Sequence, residues 1–261
     1  IPLLEIPYLQ SKKLLNFESQ FRNNYIGFNV KKFPFNNKEV RKAFSLAIDK
    51  SIFEKVLYNT VIKTESWIPP GLIGSIHDNK PRYNKEIANK ILDQNGFKDR
   101  SKFPTVKFLF PESGNNRIIA EILQTMWIEN LDIQVDIRGL EWKIYLITLD
   151  LDRPHMFRAG WAADYPDPHN FMNIFTCNGG NNETGWCDSA YDKKIDKASY
   201  ETSEEKRKEM YIDAQEKLIY DQNTIIPLFI SNQIYLKNKN IRKINFSKMG
   251  IIDFSRVETN Y

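Results

Sequence analysis

PTVKFLFP (Pro104–Pro111), NNRIIAEILQTMWIEN (Asn115–Asn130) and DIQVDIRG (Asp132–Gly139) follow one another closely along the chain. The first and third read as strands, short and rich in Val, Ile and Phe and bounded by Pro, Gly and Asp. Between them lies an amphipathic helix, with Trp127 expected on its buried face. A strand, a sixteen-residue helix and a second strand make a crossover, so the two strands are expected as parallel neighbours. That unit sets the class as α/β, a mixed sheet flanked by helices.

Outward from it, Tyr25–Val30 reads as a strand. In NNKEVRKAFSLAIDKSIFEKVLY, Asn36 or Asn37 is placed to cap a helix whose Val40, Ala43, Phe44, Ala47, Ile48 and Ile52 recur at helical spacing. The Pro- and Gly-rich run from Thr64 to Arg82 reads as a long loop, and a helix from Asn84 to Asn95 stops at Gly96. Beyond the crossover, a short helix (Glu141–Leu149) leads to the strand HMFRAGW (His155–Trp161) and a loop rich in Pro, Asp and Asn. Strand alternation puts Phe157, Ala159 and Trp161 on one side and Arg158 and Gly160 on the other. Helices over 189–200 and 203–220 come next, the second with acidic residues in its first turn. TIIPLFIS and QIYLKNKNIRKINF then read as strands, the latter as a lysine-bearing edge.

The 261 residues are 41% hydrophobic and 27% charged, the balance of a folded globular chain. Aromatics at 13% are in surplus, for a large core or a binding surface. A net charge of +4 over this length gives no footprint for nucleic acid. The longest apolar runs, such as Ile225–Ile230, fall far short of a bilayer span. The opening residues lack the pattern of a secretory signal and an initiator Met, so the chain is read as processed or truncated. Cys177 and Cys187 end a polar Gly/Asn-rich loop, and a disulfide between them is favoured over two reduced thiols. His77, His155 and His169 are scattered and no paired CxxC exists, so no metal site is expected. Nucleotide-binding, zinc-protease and nucleophile-elbow motifs are all missing. Glu141, Asp164 and Asp167 are the carboxylates placed for an acid–base pair, with capping and solvation as the plainer uses of such residues.

Several segments together resemble a known family. YIGFNVKKFPFNNKEVRKAFSLAIDK, WIPPG, LEW and FRAGWAADYPDPHNF, in that order and at these intervals, are similar to the bacterial extracytoplasmic solute-binding proteins of oligopeptide and dipeptide ABC importers. The resemblance implies one lobe of a type II periplasmic-binding-protein fold, the C-terminal half of a two-lobed architecture. On that basis residues 1–22 are expected as a connector from the other lobe, 23–222 as the peptide-binding lobe, and 223–261 as a tail that returns to the other lobe.

It also implies a set of ligand-binding residues. Asp164 matches an aspartate that pairs, as a buried carboxylate, with a peptide α-ammonium. Arg158 matches a position that meets a short peptide's carboxylate, with an internal ion pair to Asp164 as the plainer alternative. Gly160 matches a position offering backbone atoms to an extended ligand, its missing side chain permitting close approach. Trp142 and Trp161 match tryptophans that wall side-chain pockets. Asn116 stands where relatives carry a basic residue or His, and Ala162 where some carry Cys. The Cys177/Cys187 loop is similar to a disulfide loop of dipeptide-type members.

The implied role is the substrate-binding component of a peptide ABC transporter: no enzyme, no cofactor, no nucleic acid, a monomer outside the cytoplasmic membrane, with short peptides and the permease subunits as partners. The same fold binding a nickel complex, heme, murein peptide or sugar, a carboxylate-based hydrolase, and a ligand-free sensor subunit are the alternatives.

Overall fold

The computed structural model describes residues 1–76 and 82–259. His77 and Pro81 of the expected loop, and the last two residues of the tail, lie outside the described residues. The chain opens with α1 (Ile6–Ser11), β1 (Leu15–Phe28), α2 (Lys38–Leu46), α3 (Ser51–Val56) and β2 (Val61–Lys63). It continues through α4 (Lys85–Leu92), β3 (Val106–Pro111), α5 (Asn116–Leu131), β4 (Val135–Leu140), α6 (Trp142–Leu151) and β5 (Met156–Ala162). The remainder is α7 (His169–Met172), α8 (Ser189–Tyr200), α9 (Glu204–Glu216), β6 (Ile225–Leu236), β7 (Ile241–Phe246) and β8 (Ile252–Thr259).

Six strands form one mixed sheet in the order β2-β6-β1-β5-β3-β4. β3 and β4 are parallel neighbours joined by α5, in register from Val106↔Val135 to Pro111↔Leu140, as the crossover requires. β5 is parallel to β3 and antiparallel to β1. Both faces are covered, and the period of two sorts side chains between two cores. Ile26, Phe28, Phe108, Phe110 and Met156 pack beneath α2, α4 and α5 with Phe44 and Trp127. Tyr25, Leu109 and Phe157 pack on the other side against α6–α9, with Tyr145, Phe171, Tyr191 and Tyr211. Each such fully buried side chain contributes about 1.5–3 kcal/mol relative to exposure.

Three elements differ from the sequence reading. The expected single helix after Asn37 is two: Asp49 Oδ1 accepts from the Ser51 backbone N–H and hydroxyl and starts α3 afresh. Ile48 and Ile52 reach the same core on either side of that turn, so the apolar pattern runs on through it. β1 begins ten residues before Tyr25, its outer half paired with β6 from Leu15↔Leu236. The expected lysine edge divides: QIYL finishes β6, and after a turn Ile241–Phe246 pairs with β8 in a separate two-stranded sheet.

The expected long loop is tied inward. Gln215 Oε1 accepts from Ser66 Oγ and the backbone N–H groups of Trp67 and Ile68, and Gln215 Nε2 donates to Gly74 O. Trp67, fully buried, donates from Nε1 to Phe171 O at 2.8 Å and so fixes α7 beside the end of β5.

Candidate ligand-binding cleft

A cleft of about 780 Å³ opens where β3 and β5 end, the side of a parallel sheet where ligands bind. Of the residues singled out above, Asn116, Trp142, Arg158, Gly160, Trp161 and Ala162 line it, and Asp164 does not. Uncharged amides dominate its polar lining, among them Asn24, Asn115, Asn116, Asn181, Asn232 and Gln233.

Arg158 sits on the wall from β5 and is only 6% exposed. Its Nη2 donates to Asn24 Oδ1 at 3.0 Å, while its Nε is buried with no partner among the described residues. No described carboxylate lies within ion-pair distance, so the alternative of an internal pair with Asp164 is not what the chain forms. Burial pulls this guanidinium down to about 10, with Arg22 adding to that and Tyr145 opposing it, so it remains charged at neutral pH. The face of Phe229 lies 5.9 Å away. A buried cation with an unused donor at the edge of an open cleft is suited to an incoming anion.

Gly160 makes that arrangement possible. A Cβ there would stand 3.1 Å from Asn23 O and 3.3 Å from Asn24 Oδ1, the oxygen that holds Arg158. The missing side chain thus protects an internal contact, beyond any room it leaves for a ligand. Asn24 Nδ2 completes the set by donating to Ser231 Oγ at 2.9 Å. Tyr145 donates to Arg158 O at 2.7 Å and carries Trp142 on its ring, with centroids 5.8 Å apart. Trp142 itself is 56% exposed, an open flat surface beside the cleft. Asn116 Nδ2 donates to Pro111 O at 2.8 Å and to Ser113 Oγ at 3.3 Å, which ties the first residue of α5 to the end of β3. The Cys177–Cys187 disulfide closes the loop carrying Glu183, whose carboxylate pairs with Arg153 at 2.7 Å on the cleft's margin. Among the described residues no group of His, Cys, Asp and Glu is arranged to hold a metal, and no helix is long and apolar enough to cross a membrane.

The model of the bacterial extracellular solute-binding proteins, family 5 (middle region), matches residues 1–183. The chain belongs to this family. It is 28% identical over 264 residues to the oligopeptide-binding protein OppA of Bacillus subtilis, covering 97% of this chain and 48% of that protein. A periplasmic oligopeptide-binding protein of Borrelia burgdorferi superposes with a TM-score of 0.84 at 28% identity, over 92% of this chain and 49% of that one. OppA of Haemophilus influenzae, solved in complex with RPPGFSPFR, gives 0.81 at 26% identity over 93% and 49%. The chain therefore spans about half the length of the family members it matches, and its fold is that of one lobe of a type II binding protein.

Asp164 departs from the family-based expectation in one respect: it is exposed in this chain, two residues beyond β5. Its Oδ2 accepts from Asn170 Nδ2 at 3.2 Å and its backbone N–H donates to Asn170 Oδ1 at 3.1 Å. Asp167 is spent on the fold: its Oδ1 accepts from His169 N in the turn that leads into α7, and its carboxylate accepts from Arg207 Nη2 at 2.8 and 2.9 Å. Glu141 likewise caps α6. Sequence reasoning passed over Asn24, Tyr145 and Asn170. Of these only Asn24 left a trace, as half of an Asn pair directly before the aromatic and apolar run Tyr25–Phe28.

Proposed function

We propose that this protein is the substrate-binding component of a peptide ABC importer, capturing short peptides by their shared features, the two charged ends and the backbone. The observation that carries this reading is Arg158: buried, charged, without an ion-pair partner among the described residues, and on the wall of a cleft whose polar lining is mostly neutral amides. A peptide carboxylate supplies the missing anion. Asp164 receives the α-ammonium, β5 beside Gly160 offers backbone to the extended chain, and Trp142 and Trp161 flank side chains of varied size. Arg158 and Asp164 are six positions apart, so at most roughly 20 Å of extended chain separates their Cα atoms, a span that a short extended peptide can bridge.

In this reading the peptide-binding lobe is residues 23–222 together with the rest of β1 and β6, whose Arg22, Phe229 and Ser231 line the cleft, while the segments before β1 and after β6 connect to a second lobe. That lobe covers Asp164 on closure, and the closed form is what the permease accepts. The protein acts outside the cytoplasmic membrane, as a monomer, without catalysis or a cofactor. The 261-residue chain by itself binds peptide weakly, because the differential affinity that drives closure needs both lobes.

The test titrates the full-length protein with a mixed pool of short peptides, following tryptophan fluorescence, and repeats it with the pool N-acetylated and with the pool C-amidated. Binding of the free pool, weakened at least tenfold by either block, supports the reading. Equal binding of all three pools, or binding of none, overturns it, and the ligand is then to be sought among metal complexes, heme, murein fragments and sugars.

A further inference from the structure

We infer that Asn170 is a positioning residue for amine recognition: it holds the Asp164 carboxylate and the Trp161 ring in one fixed relation. The inference rests on the assignment of Asp164 to the ligand's α-ammonium. Asn170 is 7% exposed and lies in α7, beneath the turn that ends β5. Its Oδ1 accepts from Trp161 Nε1 at 2.7 Å and from Asp164 N at 3.1 Å, and its Nδ2 donates to Asp164 Oδ2 at 3.2 Å. An indole N–H and a backbone N–H only donate, and an ionised carboxylate only accepts. One orientation of the amide therefore serves all three partners, and the flipped orientation serves none of them.

The support behind Asn170 is rigid. Trp67 Nε1 donates to Phe171 O, Tyr191 Oη donates to Met172 O at 2.6 Å, and Asp167 links the start of α7 to Arg207. Asp164, by contrast, is exposed, and its side chain has no other hydrogen bond in the described structure. Without Asn170 the carboxylate swings among rotamers, and a ligand must bear the cost of ordering it. With Asn170 in place, one carboxylate oxygen is held and the other is free for the ammonium. The shared Oδ1 also couples the amine site to the neighbouring indole, so both face the ligand from a single support.

The test measures, in the full-length protein, two ratios of dissociation constants: N-acetylated over free peptide, which reads Asp164, and C-amidated over free peptide, which reads Arg158. Asn170→Ala is expected to cut the first ratio about tenfold, the scale of one charge-assisted hydrogen bond, and to leave the second unchanged. In an Asp164→Ala background the same substitution is expected to change the first ratio no further, because both act on one interaction. A loss of folded structure would raise every dissociation constant by one common factor and leave both ratios unchanged, so a fall confined to the first ratio separates positioning from general damage. If Asn170→Ala does not accumulate as folded protein, Asn170→Gln keeps the amide but moves it by one methylene, and the same split is expected. A wild-type first ratio that survives either substitution overturns the inference alone. A wild-type protein indifferent to N-acetylation overturns the amine assignment, and the inference with it.

Discussion

Arg41 and Arg158 are both buried arginines held near 10 by burial, and their surroundings differ completely. Arg41 donates to four backbone acceptor contacts, on Phe35, Gln222 and Asn223, tying α2 to the turn before β6. Among the described residues Arg158 has one side-chain hydrogen-bond partner, Asn24, and an idle Nε. The first guanidinium is consumed by the fold and the second is held in reserve. Burial and charge alone thus do not mark a binding residue. What sets Arg158 apart is an unmet donor on a charged group at the wall of the cleft.

Arg41→Met gives the largest expected effect: three carbonyl groups lose their donor, and stability to urea drops by about 3 kcal/mol with peptide discrimination intact. A drop below about 1 kcal/mol would erase the contrast. Arg158→Met is expected to do the reverse, changing stability by less than about 1 kcal/mol in either direction. It removes a preference of roughly 10- to 100-fold for a free over an amidated peptide C-terminus, read by calorimetric titration. Gly160→Ala sharpens the comparison, since its methyl group presses on Asn23 O and Asn24 Oδ1. A stability cost of about 1 kcal/mol and a partial loss of the same C-terminal preference are expected, because Asn24 is displaced from Arg158.

The smallest effect concerns a third buried base. His155 accepts from Lys107 N through Nδ1, and burial, aided by Lys32 and Lys107, pulls it down to about 4. The folded state therefore takes up its proton later than the unfolded chain, whose histidine titrates near 6.5. Its contribution to stability is complete above about pH 6.5 and is lost as the pH falls toward 4. His155→Gln should flatten that part of the stability profile relative to wild type in parallel urea titrations, and unchanged curvature would show that the buried ring does not set it.

The crossover was legible because two periods, 2.0 and 3.6, succeed one another cleanly from Val106 to Leu140. The break between α2 and α3 was not, since Ile48 and Ile52 serve one core from both sides of the turn. The outer half of β1 was obscured by its Asn and Gln residues, poor strand formers that reach the strand through pairing with β6. At the site, Asn116, Trp142, Arg158, Gly160, Trp161, Ala162 and Asp164 could be named from sequence resemblance, and all but Asp164 line the cleft. Asn24 and Asn170 could not be named. An amide carries no charge and belongs to no spacing motif, and its role is fixed by which donors and acceptors the fold brings to it.

The neutral lining of the cleft has a consequence for how such a protein diverges. Asn24 and Asn116 aside, amides such as Asn115, Asn181 and Asn232 donate no side-chain hydrogen bond to the rest of the chain in the described structure, so exchanging one leaves the scaffold standing. An asparagine codon lies one base from aspartate and one base from lysine. On the proposed function, a duplicated copy could therefore change the chemistry of its cleft lining by single steps while Arg158 and the β5 backbone stay as they are.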